Sequence, residues 1–260
     1  MTGEPPLLLD RRGPVLLLTL NRPAVHNAVN RAMATAMGEA LEQAAADEQV
    51  RAVVVAAGGD GAFCSGADLK EVAAGRTPNA EGQEQWGFLG LVNHWVPQPV
   101  IAAVTGSAYA GGAELLLACD LVVADQDAQL VYTEIRHGLF PSMGGTVRLA
   151  EHVGTKVAFE WMATARPVSA REAWQRGLVN LVAPRAEVLT RALDLAADLA
   201  SRSPEALHAL KRAFYTAVGG ERLLERPRRE VSDAEWHRLR AGEAGQAGPR
   251  AFAEGRRVRW

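Results

Sequence analysis

Short apolar runs, each stopped by a turn and alternating with helical patterns, constrain this chain more than any other feature. Val15-Leu16-Leu17-Leu18-Thr19-Leu20 halts at Asn21-Arg22-Pro23 and reads as a buried strand. From Asn30 to Asp47 the period becomes helical, with Met33, Met37, Ala40, Leu41 and Ala44 on one face. Val53–Ala57 is the next strand, ended by Gly58-Gly59-Asp60-Gly61, and Val100–Val104 resumes strand character after Pro99. A short helix at about 112–118, a strand Leu121–Ala124 and a short strand near Leu130–Tyr132 follow. The helices after Gly144 break at Gly154 and restart at Ser169, where Ser169-x-x-Glu172 has the form of a capping box. Leu178–Val182 is the last strand candidate; beyond Arg185 the chain reads helical, with Ser203-Pro204-Glu205 as a helix start. Residues 73–85, polar and rich in Gly, Pro and Asn, read as a surface loop. Strand–helix alternation to about residue 183, followed by helices, predicts an α/β core with a helical appendage.

Bulk numbers exclude several roles. The 260 residues are 48% hydrophobic and 22% charged, ample for a sizeable core. With 28 basic and 30 acidic residues the formal net charge is −2, which argues against nucleic acid or a membrane surface as the main partner. Arg226, Arg228, Arg229, Arg238, Arg240, Arg250, Arg256, Arg257 and Arg259 crowd the tail and read as a solvated helical surface, or more sharply as a contact for a phosphorylated ligand or a partner subunit. No apolar run reaches membrane-spanning length, and the first residues lack a secretory pattern. Two cysteines, Cys64 and Cys119, provide no disulfide framework and fit a reducing cytoplasm. The six histidines show no zinc-like spacing, so no metal is expected.

Candidate chemistry gathers at three glycine-marked turns: Ala62-Phe63-Cys64-Ser65-Gly66-Ala67-Asp68-Leu69-Lys70, Ala110-Gly111-Gly112-Ala113-Glu114, and the segment from Glu134 through Gly138 to Gly144-Gly145. Consecutive glycines between a strand and a helix expose N–H groups, although Gly111-Gly112 alone also fits a plain tight turn. Parallel strands deliver such loops to one sheet edge, where the amides of Ala67 and Gly111 would converge on one carbonyl oxygen. A single donor of this kind is worth about two to three powers of ten in rate. Glu114 and Glu134, each alone also readable as a helix-start acid, would together form a base and an acid beside that carbonyl, each worth about two to four powers of ten. That combination points to an enzyme acting on an acyl group.

These motifs resemble the crotonase superfamily, the enoyl-CoA hydratase/isomerase family, and most closely its hydratase members. The resemblance runs nearly end to end, from Leu20-Asn21-Arg22-Pro23 with Asn27-Ala28, through the three turns, to Ala251-Phe252-Ala253-Glu254-Gly255-Arg256-Arg257. It implies a crotonase (ClpP/crotonase-like) fold, a repeated β-β-α superhelical core over 1–199, and a C-terminal all-helical oligomerisation region over 200–260. It further implies a homotrimer or dimer of trimers. Ala67 and Gly111 would supply oxyanion-hole amides for a thioester carbonyl. Ala67, Asp68, Leu69 and Lys70 would lie along the CoA, and the turn at Ala24-Val25 would approach its pantetheine arm. Glu114 would deprotonate water attacking the β-carbon and Glu134 would deliver a proton to the α-carbon. The implied reaction is reversible syn addition of water to a trans-2-enoyl-CoA, with CoA part of the substrate and no separate cofactor. Segment 73–85 with Trp86, Leu89 and Trp95 would form the variable acyl-pocket wall, although Trp86 and Trp95 taken alone read more readily as core.

Departures from the pattern are Gly255, where a lysine is usual, Leu130 and Thr133 before the second glutamate, and His137 at a commonly apolar position. Competing readings are a Δ3-Δ2-enoyl-CoA isomerase or other acyl-CoA lyase of the same family, a serine hydrolase, and a non-catalytic CoA- or RNA-binding scaffold. Gly106-Ser107-Ala108-Tyr109-Ala110 lacks the second glycine of a nucleophile elbow, and the carboxylate pair disfavours a scaffold.

Overall fold

The computed structural model describes residues 4–218 and 234–256. Its main sheet contains β1 (Leu7–Arg12), β2 (Val15–Leu20), β3 (Ala52–Ala57), β4 (Val100–Val104), β6 (Leu121–Asp125) and β9 (Leu181–Ala183), paired in that order. From β2 onward all pairings are parallel; β1 alone runs antiparallel, against β2. Strands of this kind are buried on both faces, which is why they read as continuous apolar runs. Leu16, Leu18 and Leu20 of β2 face one core with Val53 and Val55 of β3. The alternate residues Val15, Leu17, Ala52 and Val54 face a second core beneath α7 (Arg185–Ala200). Ala192, Ala196 and Ala200 stand four residues apart on α7, so its small face lies close to the sheet.

The first core is closed by α1 (Arg31–Ala46), whose N-terminus is capped by Asn30 Oδ1 accepting from Met33 N at 3.0 Å. Met33, Met37 and Leu41 are fully buried along one face, each worth about 1.5–3 kcal/mol in removed apolar surface. A second sheet, β5 (Ala108–Tyr109), β7 (Gln129–Val131) and β8 (Val168–Ser169), pairs in that order. Helix α3 (Gly111–Leu116) springs from β5, and α4 (Gly145–Val153) and α5 (Thr155–Thr164) meet at Gly154. The serine half of the capping box forms: Ser169 Oγ accepts from Glu172 N at 3.1 Å to start α6 (Ala170–Gln175), while the Glu172 carboxylate pairs with Arg166.

Two expectations need correction. Leu178 and Val179 are core residues rather than strand, because Asn180 takes over Val122 with both its backbone N–H and its side-chain oxygen, and the ladder begins only at Leu181. Segment 73–85 is not wholly a free loop. It follows α2 (Leu69–Ala73), buries Ala80, and pairs Asn79 with Phe88.

After α7 come α8 (Pro204–Val218), helical residues 234–241 (α9) and α10 (Glu243–Ala253). Helix α8 is tied to the core by Lys211, whose Nζ donates to Asp120 Oδ2 at 2.6 Å and Gln98 O at 2.8 Å. Helix α10 packs on α2 and on the turn 134–137. Arg238 and Arg256 pair with Glu235 and Glu254 on an exposed surface, as a solvated face requires. Arg226, Arg228, Arg229, Arg257 and Arg259 lie outside the described residues.

Candidate active site

The loop after β3 is stitched on two sides. Phe63 N donates to Ser107 O and Tyr109 N to Cys64 O, fastening it to β5. On its other side Gly66 O accepts from Val29 N and Asp68 N donates to Val29 O, both at 2.8–2.9 Å. Those bonds use the residues flanking Ala67, so the Ala67 amide points the other way. Asn27 locks the neighbouring turn. Its Nδ2 donates to Gly58 O and Ala62 O, and its Oδ1 accepts from Arg22 N. Arg22 reaches Asp68 Oδ2 at 3.1 Å, which joins the turn at 23–25 to the start of α2.

Ala110 turns the chain from β5 into α3 with φ 49°, a left-handed conformation uncommon for a residue with a side chain. Its own N–H is taken by Val131 O, and Gly111 follows as the first helical residue. Among the described residues neither the Ala67 nor the Gly111 amide donates to any acceptor. The two loops nearly touch: a Cβ on Gly66 would lie 3.1 Å from Gly111 N and 3.0 Å from Ala110 Cβ. Glycine is required there both by that approach and by its φ of 92°.

Every residue of α3 is buried, Glu114 included, at 1% exposure. One oxygen, Oε1, accepts from Met143 N and Gly145 N, both at 2.8 Å. Burial raises the Glu114 pKa to about 7, opposed by those amides, by the neighbouring Glu134 carboxyl and by the charge of Arg148. Glu134 heads the 3-10 turn Glu134–His137 and is also buried. Neither of its carboxyl oxygens makes a well-formed bond to an obligate donor. Burial, then the charge of Glu114, holds its pKa well above the usual carboxylate range. A hydrogen bond between two carboxyls exists only when a proton sits between them, so the pair behaves as one diacid. Within it, Glu114 is the better-supported anion and Glu134 the better proton holder.

One cavity of about 900 Å³ holds the predicted residues together. Glu114, Glu134, Ala67 and Gly111 line it, as do Val25, Asp68, Leu69 and Lys70. Ala24 does not; it is exposed beside the wall. The expected acyl wall is corrected. Leu89 is core, Trp86 stacks on His94 at 4.5 Å over Gly38, and Trp95 lies 43% exposed beside Tyr215 of α8. The apolar wall comes instead from Phe88, Leu139, Phe140, Met143 and Trp236. Phe140 and Trp236 meet edge to face at 5.8 Å. His137 is a half-buried part of the same wall. The Met143 and Gly145 amides were signalled in the sequence only as part of a glycine-rich stretch. Trp236 had no signal at all, being far from the site in sequence. Among the described residues no group of three or more His, Cys, Asp or Glu could hold a metal ion.

Two unengaged amides beside two carboxyls of unequal proton affinity thus line one cavity of a crotonase fold. The family model matching residues 10–260 is that of enoyl-CoA hydratase/isomerase, and the chain belongs to this family. It is 36% identical to the carnitinyl-CoA dehydratase of Salmonella typhi over 98% of this chain and 97% of that protein. The structure of a carnitinyl-CoA hydratase from Mycobacterium avium, 40% identical, superposes with a TM-score of 0.93 over 99% of both chains. An enoyl-CoA hydratase/isomerase from Pseudoalteromonas atlantica, 27% identical, gives 0.86 over 98% of this chain and 99% of that one.

Proposed function

We propose that this chain catalyses reversible syn addition of water to a trans-2-enoyl-CoA, giving a 3-hydroxyacyl-CoA. The observation that carries the reading is the asymmetric Glu114–Glu134 diacid facing a cavity that also bares the Ala67 and Gly111 amides. With the thioester oxygen on those two amides, charge leaves the double bond and the β-carbon becomes electrophilic. Glu114, held as the anion, takes a proton from water as it attacks that carbon. Glu134, holding a proton, delivers it to the α-carbon as the enolate collapses. The same groups run the dehydration in reverse. CoA lies along Ala67–Lys70 and past Ala24-Val25, with the Lys70 ammonium available to a phosphate. The core ends near residue 199, and the helices beyond it build a trimer or dimer of trimers, consistent with exposed Leu210 and Phe214 on α8. Two buried free cysteines are consistent with the cytoplasm.

A second reading shares this machinery and concerns the acyl group. The Salmonella and Mycobacterium relatives are named for carnitinyl-CoA, whose acyl chain carries a quaternary ammonium. Here the cavity wall presents Phe88, Tyr109, Phe140 and Trp236, and aromatic faces attract such cations. An isomerase would need Glu134 chiefly, and the firmly held Glu114 favours hydration. A panel of crotonyl-CoA, longer trans-2-enoyl-CoA thioesters, a 3-enoyl-CoA and the 4-trimethylammonio analogue of crotonyl-CoA separates these. Loss of the conjugated-enoyl absorbance is expected with at least one 2-enoyl member. No change with any of them would reject hydration.

A further inference from the structure

One polar group beside the site has no place in this scheme. Tyr132 is fully buried, and among the described residues its hydroxyl has no hydrogen-bond partner. It follows β7 directly. Val131 pairs with Tyr109, and its carbonyl takes the Ala110 amide, so Tyr132 sits against the turn that launches α3 and two residues before Glu134. It belongs to the hydrophobic core rather than to the cavity wall. The neighbouring Glu134 oxygens are likewise buried without an obligate donor. Phenylalanine would fill the same volume without hiding a hydroxyl, and unpaired buried polar groups are rare and call for a reason. Burial first, then the charges of Glu114 and Glu134, keeps the phenol well above its ordinary range, so it stays neutral and able to donate.

We propose that Tyr132 is a positioning residue whose hydroxyl turns, from the core side, toward the negative charge on the Glu114–Glu134 pair and steadies its singly protonated form. This rests on the reading of the pair as base and acid. The other charged groups acting there are few. Arg148 of α4 bears on Glu114, while on Glu134's own turn Arg136 donates to Ala165 O at 2.5 Å and His137 borders the cavity. Arg148 is thus a fixed cation near the pair, and Tyr132 is a neutral donor that favours loss of the pair's first proton.

The test is Tyr132→Phe, assayed with whichever enoyl-CoA the wild-type protein hydrates best. Expected are a kcat lower by about ten-fold, a KM within about two-fold of wild type, and an acid limb of the kcat–pH profile moved up by about one unit. The melting temperature should stay level at low pH, where the pair carries no charge for the hydroxyl to meet, and fall only where the pair is ionised. Fluorotyrosine placed at position 132, a stronger donor of the same shape, should move the acid limb the opposite way. An unchanged acid limb in both proteins would overturn the proposal, since a packing role does not reach the pair's titration. Infrared titration of the buried carboxyl band, without substrate, separates the two failures. If no thioester is turned over but the band's midpoint rises in Tyr132→Phe, hydration fails and the role of Tyr132 stands. If the midpoint does not move, the proposal fails whatever the activity.

Discussion

Glu134 has the carboxyl of Glu114 as its hydrogen-bonding neighbour, whereas Glu114 has the Met143 and Gly145 amides as well. In the proposed mechanism, that inequality makes Glu114 the base and Glu134 the acid. It is produced by backbone geometry: α4 starts at Gly145 with its first amide, and the Met143 amide just before it, aimed at an α3 side chain.

Removing either proton carrier should disable the chemistry while leaving the cavity intact. Glu114→Gln and Glu134→Gln are each expected to lower kcat by about two to four powers of ten, with KM little changed. Steady-state hydration rates on purified variants check this. Near-full activity in either would remove that residue from the mechanism.

The pair should also govern pH dependence. Hydration requires Glu114 ionised and Glu134 protonated, so kcat should rise with pH through the Glu114 pKa of about 7. Stability should run the other way. Both folded-state pKa values lie above those of an unfolded glutamate, so the protonated pair favours folding at low pH. That contribution is lost as pH rises from about 4.5 through the raised values. Glu134→Gln removes a carboxyl that must take up a proton on folding at about pH 8, where an unfolded glutamate is ionised, so the variant should unfold several degrees higher than wild type there. Thermal melts at about pH 5 and about pH 8 measure the difference, which should shrink at the lower pH.

Gly145 carries a steric demand separate from its hydrogen bond. A methyl added there would fall 2.8 Å from Glu114 Oε1 and 2.8 Å from Pro141 Cβ. Gly145→Ala should therefore push the base aside and lower kcat by about ten- to a hundred-fold, leaving KM nearly unchanged. A KM defect without a kcat defect would place Glu114's support elsewhere.

Acyl preference should respond to Trp236 rather than to Trp95. Trp236→Ala opens the wall next to Phe140, and kcat/KM for longer trans-2-enoyl thioesters should rise about ten-fold relative to crotonyl-CoA. Trp95→Ala should leave that ratio alone, because Trp95 faces Tyr215 and Lys211.

How much of this was legible in the sequence follows from how local each signal is. Helix α1 is legible to within a residue because its cap, Asn30, and its apolar face lie within a few turns of one another. The parallel strands announce themselves by being apolar on both faces. Strand β1 escapes notice because only Leu7 is buried, so Leu7–Arg12 shows no buried pattern. The two glutamates and both amide loops are visible as motifs. Their unequal proton affinity is not, because it depends on amides some thirty residues away, at Met143 and Gly145. The acyl wall is hidden for the same reason. Phe88, Phe140 and Trp236 come from three distant segments, and only folding makes them neighbours.

Turnover of crotonyl-CoA in deuterium oxide enriched in heavy oxygen tests the central claim most directly, because base and acid each leave a label. The account predicts a 3-hydroxybutyryl-CoA with one heavy oxygen on the β-carbon and one deuterium on the α-carbon, both delivered to the same face. Deuterium at carbon without heavy oxygen at the β-position, or no reaction in any direction, would contradict it.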